Sequence, residues 1–179
     1  MTEDPSGIAG APDLSAGNID PVLAGWAAGM VAELPDGTQL PPHSPGCLGC
    51  GPDNPHGHHL EVHRDGDRVI AALTFDERHV GAPGIAHGGA VATVFDDLFG
   101  FTLFIVGELA VTRRLQVEYL APVRLGTAYR VVANLDRRDG RRLHVNAHLS
   151  EPGGREIATA SALFMTVTLE HFARALEQT

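Results

Sequence analysis

AVATVFDDLFGFTLFIVG, residues 90–107, is almost wholly apolar, broken only by Asp96, Asp97 and small or hydroxyl-bearing residues. It is too long and too rich in Ala, Leu and Phe for one strand, so it reads as a helix that is apolar on most faces. Such a helix has to be buried on nearly all sides. Ahead of it, HLEVHR (59–64) and DRVIAALTF (67–75) alternate about Asp65-Gly66, a hairpin signal. Behind it come four β-type stretches: ELAVTRRLQVEYLAP (108–122), TAYRVVANLDRR (127–138), RRLHVNAHLSEP (141–152) and REIATASALFMTVTL (155–169). Turns at Pro122 to Gly126, Asp139-Gly140 and Pro152-Gly153-Gly154 separate them. Two strands, one buried helix and four strands point to the α+β class. A sheet curling around the helix buries the apolar faces of both.

The flanks carry less pattern. Residues 1–20 are rich in Gly, Pro, Ala and Asp and read as a flexible tail. NIDPVLAGWAAGMVAEL (18–34) fits a short helix with Pro21 at its first position. PDGTQLPPHSPG (35–46), punctuated by four prolines, reads as a linker. EHFARALEQ (170–178) suits a short helical tail. The expected division is an N-terminal extension over 1–44, one folded domain over 45–170 and a C-terminal tail over 171–179.

Composition narrows the function. The 179 residues carry a formal charge of −9, and all 13 cations are arginines. A net-negative chain is a poor partner for a nucleic-acid backbone. The one arginine cluster, Arg137, Arg138, Arg141 and Arg142, suits a few phosphates rather than a duplex. No stretch has the ~18 uninterrupted apolar residues of a membrane span, and MTEDPSGIAG lacks the basic start of a secretory signal. The expectation is a cytoplasmic protein with no nucleic-acid or membrane partner. One close cysteine pair, Cys47 and Cys50, is no disulfide framework.

Chemistry concentrates around the apolar stretch. Asp96-Asp97 interrupts a segment that otherwise avoids charge, and an unpaired buried carboxylate costs several kcal/mol or stays protonated. Successive helical residues diverge by about 100°, so at most one of the two faces any one cavity. The loop His87-Gly88-Gly89 opens the helix with N–H groups that have no intrahelical acceptor, a site for a developing oxyanion. Asp96 lies nine residues after His87, about 13 Å up the axis and on roughly the opposite face. One chain cannot bring both groups to the same carbonyl, so if they cooperate the active site sits between two copies.

HGG, an Asp nine residues after the His, a Thr sixteen residues further on, and a strand reading V-E-Y-L-A-P here comprise His87, Asp96, Thr112, Tyr119 and Pro122. This combination resembles the hotdog-fold acyl-CoA thioesterases of the phenylacetate-pathway type, most of all the Asp/Thr branch that includes the mitochondrial acyl-CoA thioesterases. The resemblance covers roughly residues 45–168. It implies a single hotdog domain, a curved antiparallel sheet wrapped around one long central helix, assembled as a homodimer or a dimer of dimers. It also implies hydrolysis of an acyl-CoA to free acid and CoA. Asp96 would be base or nucleophile, Thr112 would position water, Gly88 N–H would polarise the thioester carbonyl, and His87 would shape the loop. The phenylacetate-type enzymes often carry Asn or Asp six residues before the His, where this chain has Gly81. The competing functions are a non-catalytic acyl-CoA-binding hotdog protein and a hotdog hydratase or dehydratase. The latter's Asp–His spacing is not found here.

Two further features remain. Arg141 and Arg142 follow the hairpin Asp139-Gly140, where related enzymes carry basic residues, and arginine suits the phosphates of CoA through bidentate bonding. CLGCGPDNPHGHHLEVH (47–63) offers Cys-x-x-Cys with His56, His58, His59 and His63 nearby. A second ligand pair at fixed zinc spacing is missing, so no metal is assigned to it. The reaction itself calls for no cofactor. Phe95, Leu98, Phe99 and Phe101 could line an acyl tunnel or belong to the core.

Overall fold

The computed structural model describes residues 34–171, together with positions 21, 24, 25, 28 and 29, which are helical. The expected tail over 1–20, most of the helix over 18–34 and the stretch 172–179 lie outside the described residues.

The apolar stretch is helix α1, Gly88–Val106. His87 caps its start, its Nδ1 accepting the Gly89 N–H at 2.9 Å. Gly107 closes it at φ 71°, a left-handed turn that costs glycine little. The six expected strands are present as β1 (Val62–Asp65), β2 (Arg68–Thr74), β5 (Ala110–Tyr119), β6 (Ala128–Asp139), β7 (Arg142–Ser150) and β8 (Glu156–Thr166). They form one antiparallel sheet in the order β1-β2-β6-β7-β8-β5. A small hairpin, β3 (Val80–Ala82) with β4 (Ile85–Ala86), sits in the Gly/Pro-rich loop before α1. Two- and three-residue strands fall below the length at which alternation can be read.

The helix lies across the sheet, chiefly on β6 and β2. Val91, Val94, Phe95, Leu98, Phe99 and Phe101 meet Val69, Val131, Ala133, Leu143 and Leu149 in one core cluster. Phe95, Leu98, Phe99 and Phe101 are all within 1% of complete burial, so they are core rather than tunnel lining. With mean hydropathy 1.7 and 19 residues, α1 is apolar enough to cross a membrane, and half of it is buried inside the fold. The sheet leaves Gly89, Ala92, Thr93, Asp96 and Gly100 partly open, a stripe of small and polar residues at helical spacing.

The proline-rich stretch read as a linker packs onto the domain. Leu40 N–H bonds Val62 O at 2.8 Å, Arg64 N–H bonds Thr38 O at 2.9 Å, and Leu40 is 3% exposed. Prolines break helices but leave extended backbone free to pair at a sheet edge.

Candidate active site

Two pieces of machinery stand at different points along α1. The first is its start. His87 N–H donates to His79 O at 2.7 Å, fixing the loop that enters the helix. Tyr119, the last residue of β5, donates its hydroxyl to Gly88 O at 2.6 Å. The Gly89 N–H is taken by His87, which leaves Gly88 N–H, at the positive end of α1, without an acceptor among the described residues. A Cβ on Gly88 would come within 3.2 Å of the Tyr119 hydroxyl. The departure at Gly81 also has a physical cause. A Cβ there would lie 2.6 Å from His87 Cα and 3.0 Å from its N, so no asparagine or aspartate fits against this loop.

The second piece is Asp96, two turns further on. Thr112 Oγ1 donates to Asp96 Oδ1 at 3.0 Å. Immediately after Thr112 the β5–β8 register slips, Thr112 facing Phe164 and Arg114 facing Leu163, so Arg113 is an extra residue. A bulge of this kind re-aims neighbouring side chains, here at the residue that meets the carboxylate. Both residues line a cavity of about 260 Å³ with Gly100, Leu103, Ala110, Val111 and Phe164. That lining is apolar apart from the carboxylates, His43 and the Thr112 hydroxyl.

The two pieces do not meet within one chain. Gly88 and Asp96 are eight residues apart on the helix, about 12 Å. Their respective tethers, Tyr119 and Thr112, are seven residues apart on β5, about 23 Å of extended strand.

Asp97 points elsewhere, as the 100° step demands. Its side chain is 7% exposed, and its Oδ1 meets His43 Nδ1 at 3.1 Å and Cys47 Sγ at 3.1 Å. Cys50 Sγ lies 3.4 Å from the same His43 nitrogen. The ligand atoms of these four residues all fall within 4.8 Å of one another. The histidine beside the cysteine pair is therefore His43, not His56, His58, His59 or His63. His43 lies 54 residues from Asp97, inside the stretch read as a linker. Two features of the sequence point to this cluster, the Cys47-x-x-Cys50 pair and a second carboxylate in an otherwise apolar helix.

Arg141 and Arg142 sit at the β6–β7 hairpin, away from the cavity lining. Arg141 lies in the turn and directs its Nε and Nη2 to Thr166 O at 3.2 and 2.8 Å. Arg142 is exposed, with Asp139 3.5 Å away. Their neighbour Arg138 pairs with Glu108 at 2.6 Å.

A family model described as the thioesterase superfamily matches residues 83–158, the span from the loop before α1 into β8. A putative esterase of Pseudomonas aeruginosa, PA0474, is 30% identical over 100 residues, covering 54% of this chain and 74% of that protein. The chain belongs to the thioesterase superfamily. Acyl-coenzyme A thioesterase THEM4 of Rattus norvegicus is 34% identical over 86 residues, 48% of this chain. The aligned part is only 37% of the rat protein, so the chain spans little more than a third of that relative. Among solved structures, a hypothetical thioesterase of Streptococcus pneumoniae crystallised with coenzyme A superposes with TM-score 0.57 at 18% identity. The match covers 61% of this chain and 86% of that one. The thioesterase superfamily chain thus has the hotdog arrangement, a curved sheet around one long helix.

Proposed function

We propose that this thioesterase superfamily chain hydrolyses an acyl-CoA thioester to a free carboxylic acid and CoA. The observation that carries the reading is the Thr112–Asp96 hydrogen bond at the mouth of an apolar cavity. Asp96 acts as base on a water held by Thr112, or attacks the carbonyl itself. The water oxygen adds to the carbonyl carbon, the C–S bond breaks, and the thiolate leaves with the proton returned to it. Thiolate is a good leaving group, so a single carboxylate suffices where an amide would demand more. Gly88 N–H, backed by the helix dipole, receives the developing oxyanion. Leu103, Ala110, Val111 and Phe164 line the path of the acyl chain, and the remaining N–H groups of Arg141 and Arg142 donate to phosphate oxygens of CoA.

The same reading requires two chains. Asp96 and Thr112 of one copy act with Gly88 of another, brought together by a two-fold contact along the partly open stripe of α1 and an edge strand. The test is complementation. Asp96→Asn loses the carboxylate, and Gly88→Pro loses the N–H at a helix position that tolerates proline. Hybrid dimers of the two inactive chains hold one complete site, so up to about half of the parental activity per dimer returns. Hybrids that stay inactive, although each chain folds and dimerises, would refute the shared site. An Asp96→Asn chain that turns over normally sinks the catalytic reading altogether. CoA binding without turnover in the parent would mark a non-catalytic acyl-CoA protein.

A further inference from the structure

We propose that His43 Nδ1, Cys47 Sγ, Cys50 Sγ and a carboxylate oxygen of Asp97 bind one zinc ion, which clamps residues 43–51 onto α1 beside Asp96. The donor set is two thiolates, an imidazole and a carboxylate, the combination zinc takes in closed tetrahedral sites. At zinc bond lengths of about 2.0–2.3 Å, the edges of such a tetrahedron run about 3.3–3.8 Å. Three of the six edges are 3.1, 3.1 and 3.4 Å and all six lie within 4.8 Å, so small side-chain adjustments admit the ion.

The atoms converge on a point rather than forming a relay. In a catalytic cysteine triad the imidazole stands between thiol and carboxylate and uses both ring nitrogens. Here one nitrogen, His43 Nδ1, faces both Asp97 Oδ1 and Cys50 Sγ, and that same oxygen also faces Cys47 Sγ. A single N–H cannot serve two acceptors well, whereas one cation at the focus serves all four groups. The other carboxylate oxygen, Asp97 Oδ2, is buried without a hydrogen-bond partner among the described residues, and an unpaired buried oxygen is costly. Zn²⁺ binding displaces the protons from the thiols and the imidazole.

The surroundings are shaped to this cluster. Gly49, inside the Cys-Leu-Gly-Cys turn, lies so close to Asp97 that a Cβ would sit 2.1 Å from its Cγ. A Cβ on Gly51 would lie 2.3 Å from Cys47 N, and one on Gly100 2.8 Å from the His43 ring. Phe101 packs against that ring at 4.3 Å between centroids, holding its orientation. Zinc is thus a structural staple. Because His43 and Asp97 also border the cavity next to Asp96, the clamp forms one of its walls.

The experiment measures zinc in the untagged full-length protein, purified under reducing conditions. The expected content is about one zinc per chain, which a micromolar chromogenic chelator removes slowly. Cobalt substitution should give the near-ultraviolet thiolate charge-transfer band and the visible bands of a tetrahedral ion. Cys47→Ser with Cys50→Ser should fall below about a tenth of parental zinc, whereas Asp96→Asn keeps it in full and loses only turnover. Metal content and hydrolysis therefore fail independently. A folded, reduced parent that takes up no zinc overturns the proposal without recourse to any variant. Zinc that persists in the double serine chain overturns it equally.

Discussion

Replacing Thr112 by valine removes one hydrogen bond and almost no volume, so its effect can be worked from the structure. The hydroxyl donates to Asp96 Oδ1 at 3.0 Å, a bond to a group that is charged when it acts as base. Hydrogen bonds to charged groups contribute about 1.5–3 kcal/mol. If the bond is realised in full at the transition state, its loss lowers kcat by about 10- to 100-fold, since each 1.36 kcal/mol is tenfold. The fold should hardly notice, because Thr112 lies at an exposed position of β5 and its strand pairing runs through the backbone. The assay is thiol release from a saturating acyl-CoA, with thermal unfolding of the same sample as control. Thr112→Ser, which keeps the hydroxyl, should recover most of the loss. A valine chain that stays within twofold of the parent would show that Thr112 merely covers Asp96, and the proposed positioning of water would have to be abandoned.

Two other perturbations probe the supports of the site. Gly81→Ala should lower stability by about 1–3 kcal/mol and reduce turnover, because its Cβ meets the His87 backbone at 2.6 Å and that backbone anchors the start of α1; an unchanged melting temperature and rate would show that the loop yields freely. Burial first, and the neighbouring His79 ring second, hold His58 down at about 4. The unfolded chain then binds a proton near pH 6.5 that the folded chain refuses, so this contribution is present above pH 6.5 and is lost as pH falls from 6.5 to 4. Discounted for the partial exposure of the ring, it is about 1–2 kcal/mol, and urea midpoints of parent and His58→Gln across that window should converge at the acidic end.

What could be read from the chain divides along the length of the contacts involved. Helix α1 and the six long strands announce themselves locally: an apolar run broken by two carboxylates, alternating stretches, and turn glycines between them. The pairing of Asp96 with Thr112 spans sixteen residues and one strand turn, and motif spacing carries it. His43 meeting Asp97 spans 54 residues, and nothing near either residue marks the other. The histidine-rich stretch that follows Cys47 and Cys50 in sequence supplies no member of their cluster, whereas the fold brings His43 from behind, out of a proline-punctuated segment with the composition of a spacer. The proline signal was misleading because it tests for helix and for central strands, not for edge pairing. Leu40 beside Val62 shows the difference.

The proposed reactive centre and the proposed clamp can share one helix because the adjacent carboxylates face different ways. A step of 100° separates Asp96 from Asp97. Asp96 stays partly open, beside the cavity and the bulged start of β5. Asp97 turns under residues 43–51, where burial makes a lone carboxylate expensive unless it is shared with a cation. The two roles need opposite environments, and no single side chain could fill both. In the proposed arrangement, an Asp-Asp pair at this point of the helix secures the wall of the cavity with one residue and leaves the other open to it. Exchanging the duties, with Asp97 as the reactive group, would demand opening the segment that Gly49, Gly51 and Gly100 allow to close so tightly.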